Sequence, residues 1–260
     1  MAVLCLDVGN SQILGGIAGQ DNQVRQLFRK NTRPTGSSDE LGIFLRTILR
    51  ENDIDPQSIT NIAVSSVVPE INHSLRGAVS RYFNCEPFFL QSGVKTGLKI
   101  LTANPPEIGA DRIATAIGAS NFYNGKDVIV VDLGTATTFG AVSSKKEYLG
   151  GAICPGLRIS MEVLQSATAR LPTVEIVKRS QALGKNTVEN IQSGLYFGHL
   201  GLIKELCFRI RQECFHESKV SLIATGGFCH LFTEEKIFDA IEPILVLKGL
   251  FHAFLLNQKA

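Results

Sequence analysis

The sequence lacks several features that would assign a chain to a class directly. It contains no tryptophan and only two methionines in 260 residues, and 26 Lys and Arg nearly balance 24 Asp and Glu, for a formal net charge of +2. Because no basic excess is available for phosphate backbones, we expect no nucleic-acid partner. No apolar run is long enough to cross a bilayer, and the first one meets Asp7 at once, so we expect neither a membrane partner nor a secretory leader.

The six cysteines also lack a pattern. None forms a CxxC pair, and Cys5 and Cys154 lie in apolar, glycine-flanked stretches, which predicts reduced thiols and a cytoplasmic protein. A GxGxxG fingerprint is absent as well, which argues against a dinucleotide enzyme. What is present is typical of an ordered globular chain: 44% of the residues are hydrophobic and 19% are charged, over a length that suits one large or two small domains.

One short pattern occurs twice, about half the chain apart. Residues 3–14 read VLCLDVGNSQIL and residues 128–139 read VIVVDLGTATTF. In each, an apolar run leads to Asp, one apolar residue, Gly and a small polar residue. Glycine lets the backbone approach a bulky anion, and a carboxylate at a strand end can meet hydrated Mg²⁺. A single copy is more simply a hairpin turn, whereas two copies indicate duplicated subdomains with Asp7 and Asp132 facing a nucleotide across a cleft.

Strand-like and helix-like segments alternate along the chain, which predicts an α/β fold. The apolar spacing predicts helices over 37–52, 69–83, 109–123, 157–171, 188–215 and 247–258, and strands within 2–18, 59–68, 86–91 and 219–228. The last strand is followed by TGG (225–227). This segment is either an ordinary loop or a stretch of glycine backbone against which a flat adenine ring could lie. Together with the two Asp-x-Gly turns, TGG resembles the phosphate-1, phosphate-2 and adenosine elements of the actin, hexokinase and Hsp70 superfamily, whose members have many functions.

Three further motifs have a simple structural interpretation, and the first two also have a functional one. Asp111, in GADR, is either a helix N-cap or a general base beside the cation Arg112. The stretch YLGGAICPGL holds either simple turn residues or a glycine-rich loop that leads through Gly156 to a helix start able to meet an anion. Thr187 is most simply the N-cap of the helix that follows it.

Seven motifs occur in the order found in type III pantothenate kinases: DVGNS, GADR, DLGTA, GGAICPGL, TARLP, GKNT with QSG (192–194), and TGG. The sequence resembles that family over nearly its whole length. The family phosphorylates pantothenate to 4'-phosphopantothenate with ATP, in the first step of coenzyme A biosynthesis. The resemblance implies an actin-like ATPase fold of two duplicated ribonuclease-H-like subdomains, 1–115 and 116–260, with the active site in the cleft between them. It also implies a homodimer with sites at the subunit interface.

The resemblance assigns roles to individual residues. Asp111 would accept the proton of the pantothenate hydroxyl, and Arg112 would bind the pantothenate carboxylate. Asp7 would lie near Mg²⁺, and Asp132 would bind a monovalent cation, K⁺ or NH₄⁺. The further pantothenate contacts would be Gly109, Ala110 and Thr187. The ATP contacts would be Asp7, Val8, Gly9, Asn10, Ser11, Gln12, Ile13, Leu14 and Thr135.

The chain departs from the family at one position, and two other functions stay open. Many relatives carry a Tyr seven residues before the GADR glycine, packed on the substrate, where this chain has Thr102. The alternatives are a kinase for another hydroxylated acid and a non-catalytic nucleotide-binding regulator on the same fold. The intact GADR and the two Asp-x-Gly turns favour a catalyst, because a regulator needs neither a base nor a pair of carboxylates.

Overall fold

The first glycine turn joins two strands of a five-stranded mixed sheet. The structure, a computed structural model, describes residues 2–19, 23–216 and 219–258. The strands of this sheet are β1 (Ala2–Val8), β2 (Gln12–Ala18), β3 (Val24–Asn31), β4 (Ile59–Ser66) and β5 (Phe88–Phe89), in the order β3-β2-β1-β4-β5. The first three form an antiparallel meander, and β4 and β5 continue the sheet in parallel on the other side of β1.

The second glycine turn joins two strands of a sheet with the same plan. Its strands are β6 (Lys99–Ile100), β7 (Asp127–Leu133), β8 (Ala136–Val142), β9 (Glu147–Pro155), β10 (Val220–Thr225) and β11 (Ala240–Ile241), in the order β11-β10-β7-β8-β9-β6. Strands β7 to β9 form the meander, and β10 and β11 lie parallel to β7 on its other side. The repeated plan confirms the α/β fold and the duplication expected from the two echoing segments.

Six α-helices connect or cover these strands: α1 (Ser38–Arg50), α2 (Pro69–Phe83), α3 (Ala110–Phe122), α4 (Leu157–Ser166), α5 (Thr187–Cys214) and α6 (Leu245–Asn257) in the described parts of the chain. Local chemistry explains several of their ends. Ser37 and Glu40 form a reciprocal capping box at the start of α1. Pro69 opens α2, where its missing N–H costs nothing, and Asn84 ends α2 in the left-handed conformation. None of the described helices is long and apolar enough to span a membrane.

The chain divides into two units, each with its own buried core. Unit 1 comprises Met1–Leu98, Ala103–Asn121 and Ile244–Ala260, and unit 2 comprises Lys99–Thr102 and Phe122–Pro243. This division differs from the expected one at 115/116. Helix α3 continues to Phe122, and α6 belongs to unit 1 because it packs closely against α3: a β-carbon at Gly249 would lie only 1.7 Å from the Ala114 carbonyl oxygen.

Three local expectations from the sequence need correction. The helix expected over 157–171 ends at Ser166, so TARLP follows it as an irregular segment. The stretch YLGGAICP is not a loop but most of β9, which pairs with β8. The pairing has a register shift at Ala141/Val142, and Gly150 has a φ of 133°, which glycine adopts without strain. The strand expected over 86–91 is reduced to two residues.

Candidate active site

The first glycine turn is a three-residue connection whose shape is fixed by hydrogen bonds. Asp7 lies next to the end of β1, and Gly9 N–H donates to the Gln12 carbonyl at 3.0 Å. Thr32, just after β3, clamps the turn twice: its N–H donates to the Ser11 carbonyl at 3.0 Å, and its Oγ1 donates to the Gly9 carbonyl at 2.6 Å. The backbone that would face phosphate is therefore held from a neighbouring strand.

The residues expected to bind ATP around this turn are not equivalent. Asn10 and Ser11 are exposed at its tip, and Gln12 begins β2. The side chains of Val8, Ile13 and Leu14 are buried. These three can reach a ligand only through their backbone, so they support the turn by packing.

Asp111 lies inside the first turn of α3. It is the second residue of the helix, and its Oδ1 accepts the Arg112 N–H at 2.7 Å. The N-cap interpretation is wrong, because the helix begins at Ala110. The carboxylate folds back over Gly109, where a β-carbon would lie 2.4 Å from Asp111 Oδ1. Burial raises the pKa of Asp111 above its usual range, and the N–H and the positive charge of Arg112 only partly oppose this shift.

Val67 connects the first glycine turn to GADR within unit 1. It follows β4, and its N–H donates to the Val8 carbonyl at 3.0 Å. Its Cγ1 also lies 3.3 Å from the point where a β-carbon of Gly109 would stand. One residue thus touches the end of β1 and the loop before α3. The structure therefore brings the Asp7 turn and Asp111 to the same edge of the first sheet.

The second glycine turn is tighter and is packed by backbone. Only Gly134 and Thr135 separate β7 from β8, and Gly134 N–H donates to the Ala136 carbonyl at 3.1 Å. Gly156, the N-cap of α4, lies so close that a β-carbon there would be 2.2 Å from the Thr135 carbonyl oxygen. Gly156 is therefore needed because it lets the start of α4 lie close to this turn, and this holds whether or not the helix start binds an anion.

The TGG motif meets the same turn. Thr225 ends β10 in register with Asp132 of β7. Gly226 has a φ of +87°, and a β-carbon there would lie 2.3 Å from Asp132 Oδ1. Phe228 N–H donates to the Leu133 carbonyl at 3.0 Å. The structure therefore assembles two of the three expected nucleotide elements, DLGTA and TGG, around one carboxylate of unit 2.

Thr187 is the first residue of α5 and is exposed. The N-cap is Asn186, whose side chain accepts the Glu189 N–H at 2.9 Å, so the capping role expected for Thr187 is wrong. An exposed hydroxyl that does not serve as the cap is available for a ligand. Glu189 also accepts the Lys185 N–H at 2.9 Å, which ties GKNT to the helix start.

Comparison with known proteins decides the family. A family model described as type III pantothenate kinase matches residues 3–209. The chain belongs to the type III pantothenate kinase family. It is 51% identical over 255 residues to a type III pantothenate kinase of Legionella pneumophila strain Corby, covering 98% of this chain and 99% of the relative. It is 45% identical over 248 residues to one of Elusimicrobium minutum, covering 95% and 96%.

Solved structures support the fold. A Campylobacter jejuni protein classed in the Baf family of transcriptional activators superposes with a TM-score of 0.63, covering 98% of each chain at 20% identity. At that identity the likeness concerns architecture alone. It agrees with the duplicated α/β plan of the two sheets and gives no functional argument.

The family implies a divalent cation that accompanies ATP, and the residues present fit it. Mg²⁺ is held by one or two carboxylates, phosphates and water, so Asp7 beside the first turn supplies a suitable ligand without a protein cage. Asp132 supplies a second carboxylate, and its Oδ1 lies close against the glycine backbone at Gly226. Among the described residues, no group of three or more His, Cys, Asp and Glu is placed to hold a metal ion.

Two features of the structure have no counterpart in the sequence motifs. Thr102, in place of the frequent Tyr, follows β6 in unit 2, and its Oγ1 is buried with no hydrogen-bond partner in the described structure. The clamp residue Thr32 belongs to none of the motifs, because its role depends on contacts 23 residues away in sequence. The only local signal for Thr32 is a polar residue directly after a strand.

Proposed function

We propose that this chain transfers the γ-phosphoryl group of ATP to the primary hydroxyl of pantothenate, giving 4'-phosphopantothenate and ADP. The observation that carries the proposal is Asp111: a carboxylate with a raised pKa, at a helix start, on the sheet edge that also holds the Asp7 turn. A base near the reacting hydroxyl and a glycine turn for phosphate are the parts that phosphoryl transfer needs.

The roles follow from chemistry and position. The pantothenate hydroxyl oxygen attacks the γ-phosphorus, a new O–P bond forms, and the bond to the β–γ bridging oxygen breaks to release ADP. Asp111 takes the hydroxyl proton, and its raised pKa makes it a better proton acceptor. Arg112 binds the pantothenate carboxylate, with Gly109, Ala110 and Thr187 as further contacts. Asp7 would hold the Mg²⁺ that accompanies ATP, and that ion, when bound, would neutralise negative charge on the phosphates.

The second turn holds the remainder of the nucleotide and a monovalent cation. Thr135 lies in a connection of only two residues, directly against Gly156, so its backbone position is fixed by packing. The Asp132 carboxylate lies against the bare backbone of Gly226 and would supply an oxygen ligand for K⁺ or NH₄⁺. All six cysteines are free thiols, which agrees with a cytoplasmic location.

We further propose a homodimer formed through unit 2. Large apolar side chains are exposed on this unit, among them Leu183 at 80%, Ile153 at 63% and Phe208 at 58%. Eight of the ten large hydrophobic side chains exposed among the described residues lie in unit 2, and exposed apolar side chains mark a protein–protein interface where they form a contiguous patch. Sedimentation equilibrium should give twice the 28.2 kDa of one chain. Phe208→Glu should shift the mass toward one chain, whereas Ile43→Glu, at an exposed position of α1 in unit 1, should not.

The experiment for the reaction measures ADP release from ATP and Mg²⁺ with and without pantothenate, first in K⁺ and then in Na⁺. Pantothenate-dependent release that requires K⁺ supports the substrate and the cation together. Release with another hydroxylated acid, but not with pantothenate, would overturn the substrate. ATP binding without any pantothenate-dependent release would favour a regulator instead.

A further inference from the structure

A buried hydrogen bond lies beneath the second glycine turn, and the proposed reaction does not use it. Thr137 Oγ1 and His199 Nε2 are 2.7 Å apart, and the two residues are only 1% and 6% exposed. Thr137 lies in β8, two residues after Thr135 and directly opposite Leu133 in the hairpin. Its hydroxyl therefore stands at the base of the two-residue connection.

His199 is fixed by aromatic rings that lead to the TGG motif. His199 and Tyr196, one turn apart on α5, both stack on Phe232, with interplanar angles of 18° and 15°. Phe232 belongs to the 3₁₀ helix Cys229–Glu235 that follows TGG, and Tyr196 Oη donates to Glu235 Oε1 at 2.5 Å at the end of this helix. One face of α5 thus contacts the strand after DLGTA and the segment after TGG.

The chemistry of the pair suits a fixed geometry. Burial lowers the pKa of His199 and so favours the neutral imidazole, which presents one N–H and one acceptor nitrogen. The Thr137 hydroxyl donates to His199 Nε2 when that nitrogen is the acceptor, and accepts from it when it carries the proton, so either tautomer keeps the bond. An apolar pair would fill the same space without burying polar atoms, but it would not fix an orientation, because apolar packing is non-directional.

We propose that the Thr137–His199 hydrogen bond is a positioning element for ATP binding, which sets the start of β8 relative to the segment after TGG. The inference rests on the proposed function, since it concerns the nucleotide of that reaction. Asp132 touches Gly226 with no space for a β-carbon, so a small rotation of either segment would change the shape of the site. His199 and Thr137 act through the turn and need not touch the nucleotide.

The test compares Thr137→Val, His199→Phe and the double variant. Val keeps the shape of Thr without its hydroxyl, and Phe keeps a ring on Phe232 without the nitrogens. Each single variant should raise the Kd for Mg·ATP, measured by calorimetry, about fivefold, the size expected from one hydrogen bond. The double variant should be no worse than either single one, because both remove the same bond. Thr137→Ser, which keeps the hydroxyl, should restore binding, and the KM for pantothenate should change less than twofold.

A packing control separates positioning from stability. Ile203→Val, one turn further along α5 in the same core, should lower the melting temperature slightly and leave the Kd for Mg·ATP unchanged. If Thr137→Val and His199→Phe also lower the melting temperature without changing the Kd for Mg·ATP, the pair contributes only packing and the inference is overturned. A wild-type chain that binds ATP but does not phosphorylate pantothenate would overturn the proposed function alone, because the Kd series still tests the hydrogen bond. A wild-type chain that binds no ATP would overturn both.

Discussion

The two glycine turns begin from nearly the same sequence, yet the protein holds them by different means. In unit 1, Asp7 pairs with Leu14 across a three-residue connection, whereas in unit 2, Asp132 pairs with Thr138 across two residues. The first turn is clamped by hydrogen bonds from Thr32. The second is packed against the backbone of two other segments and has a buried polar pair beneath it.

This difference shows what duplication preserves and what it leaves free. The strand order and the Asp-x-Gly pattern are common to both sheets, because they place a carboxylate and a glycine at the end of the first strand. The means of support vary, since a turn can be fixed by directional hydrogen bonds or by close contact. We expect substitutions to affect the first turn mildly and the second severely, and the reaction chemistry to depend on unit 1.

The largest effect should come from replacing Asp111, the proposed base, which separates chemistry in unit 1 from binding in unit 2. Asp111→Asn should lower kcat about 10²–10⁴-fold, the usual contribution of a general base, with an unchanged Kd for Mg·ATP. Asp132→Asn should instead weaken the K⁺ dependence. Steady-state kinetics and calorimetry on both variants distinguish these outcomes, and near-normal turnover in Asp111→Asn would exclude Asp111 as the proton acceptor.

Replacing a glycine by alanine should destabilise the second turn far more than the first. The β-carbon of Gly156→Ala would lie 2.2 Å from one backbone carbonyl oxygen and 2.7 Å from another, neither of which can rotate away. We expect a loss of about 1–3 kcal/mol in the unfolding free energy and at least a tenfold rise in the Kd for Mg·ATP. Gly9→Ala is the matched control, since its nearest atom is 3.2 Å away. Equal effects in urea unfolding would refute the contrast.

The clamp on the first turn should give a smaller change. Thr32→Val removes the Oγ1 bond to the Gly9 carbonyl but leaves the backbone bond from Thr32 N–H to Ser11. The loss of one hydrogen bond predicts a rise of about two- to tenfold in the KM for ATP. Thr32→Ser should behave as the wild type. An unaltered KM in Thr32→Val would mean that the backbone bond alone holds the turn.

The smallest effect should be on stability and should depend on pH. Because the pKa of Asp111 is raised in the folded protein, the folded state binds this proton more tightly than the unfolded state. The resulting stability is present below the unfolded pKa and is lost as pH rises through the raised value. As pH rises from the unfolded pKa of Asp111 to its raised folded pKa, the wild type should therefore lose stability relative to Asp111→Asn. Urea unfolding of both proteins from acidic to neutral pH measures the difference, and a constant difference would contradict the shift.

The local parts of the fold were predictable from the sequence. The apolar run before each Asp-x-Gly predicts β1 and β7, and helical spacing locates α2 and α3 within a residue or two. These elements depend on neighbours along the chain, so their pattern is visible there. The helix expected over 157–171 is too long, since nothing local marks its end at Ser166.

The supports of the candidate site were not predictable in the same way. Thr137 and His199 are 62 residues apart, and no residue near either of them in sequence marks the two as partners. Gly156 has the sequence context of a turn glycine, although its function is to let two backbones meet. Strand β6 has only two residues, too few for any periodic signal. In each case a tertiary contact decides the role of the residue.

The path of the chain between the two units has a consequence for synthesis. The chain passes from one unit to the other four times, at 98/99, 102/103, 121/122 and 243/244. Helix α6 contributes the fully buried Leu245, Leu247 and Leu250 to unit 1, against segments made more than a hundred residues earlier. When the first sheet leaves the ribosome, α6 has not yet been made. The face of the sheet that α6 covers therefore stays exposed until unit 2 has been translated.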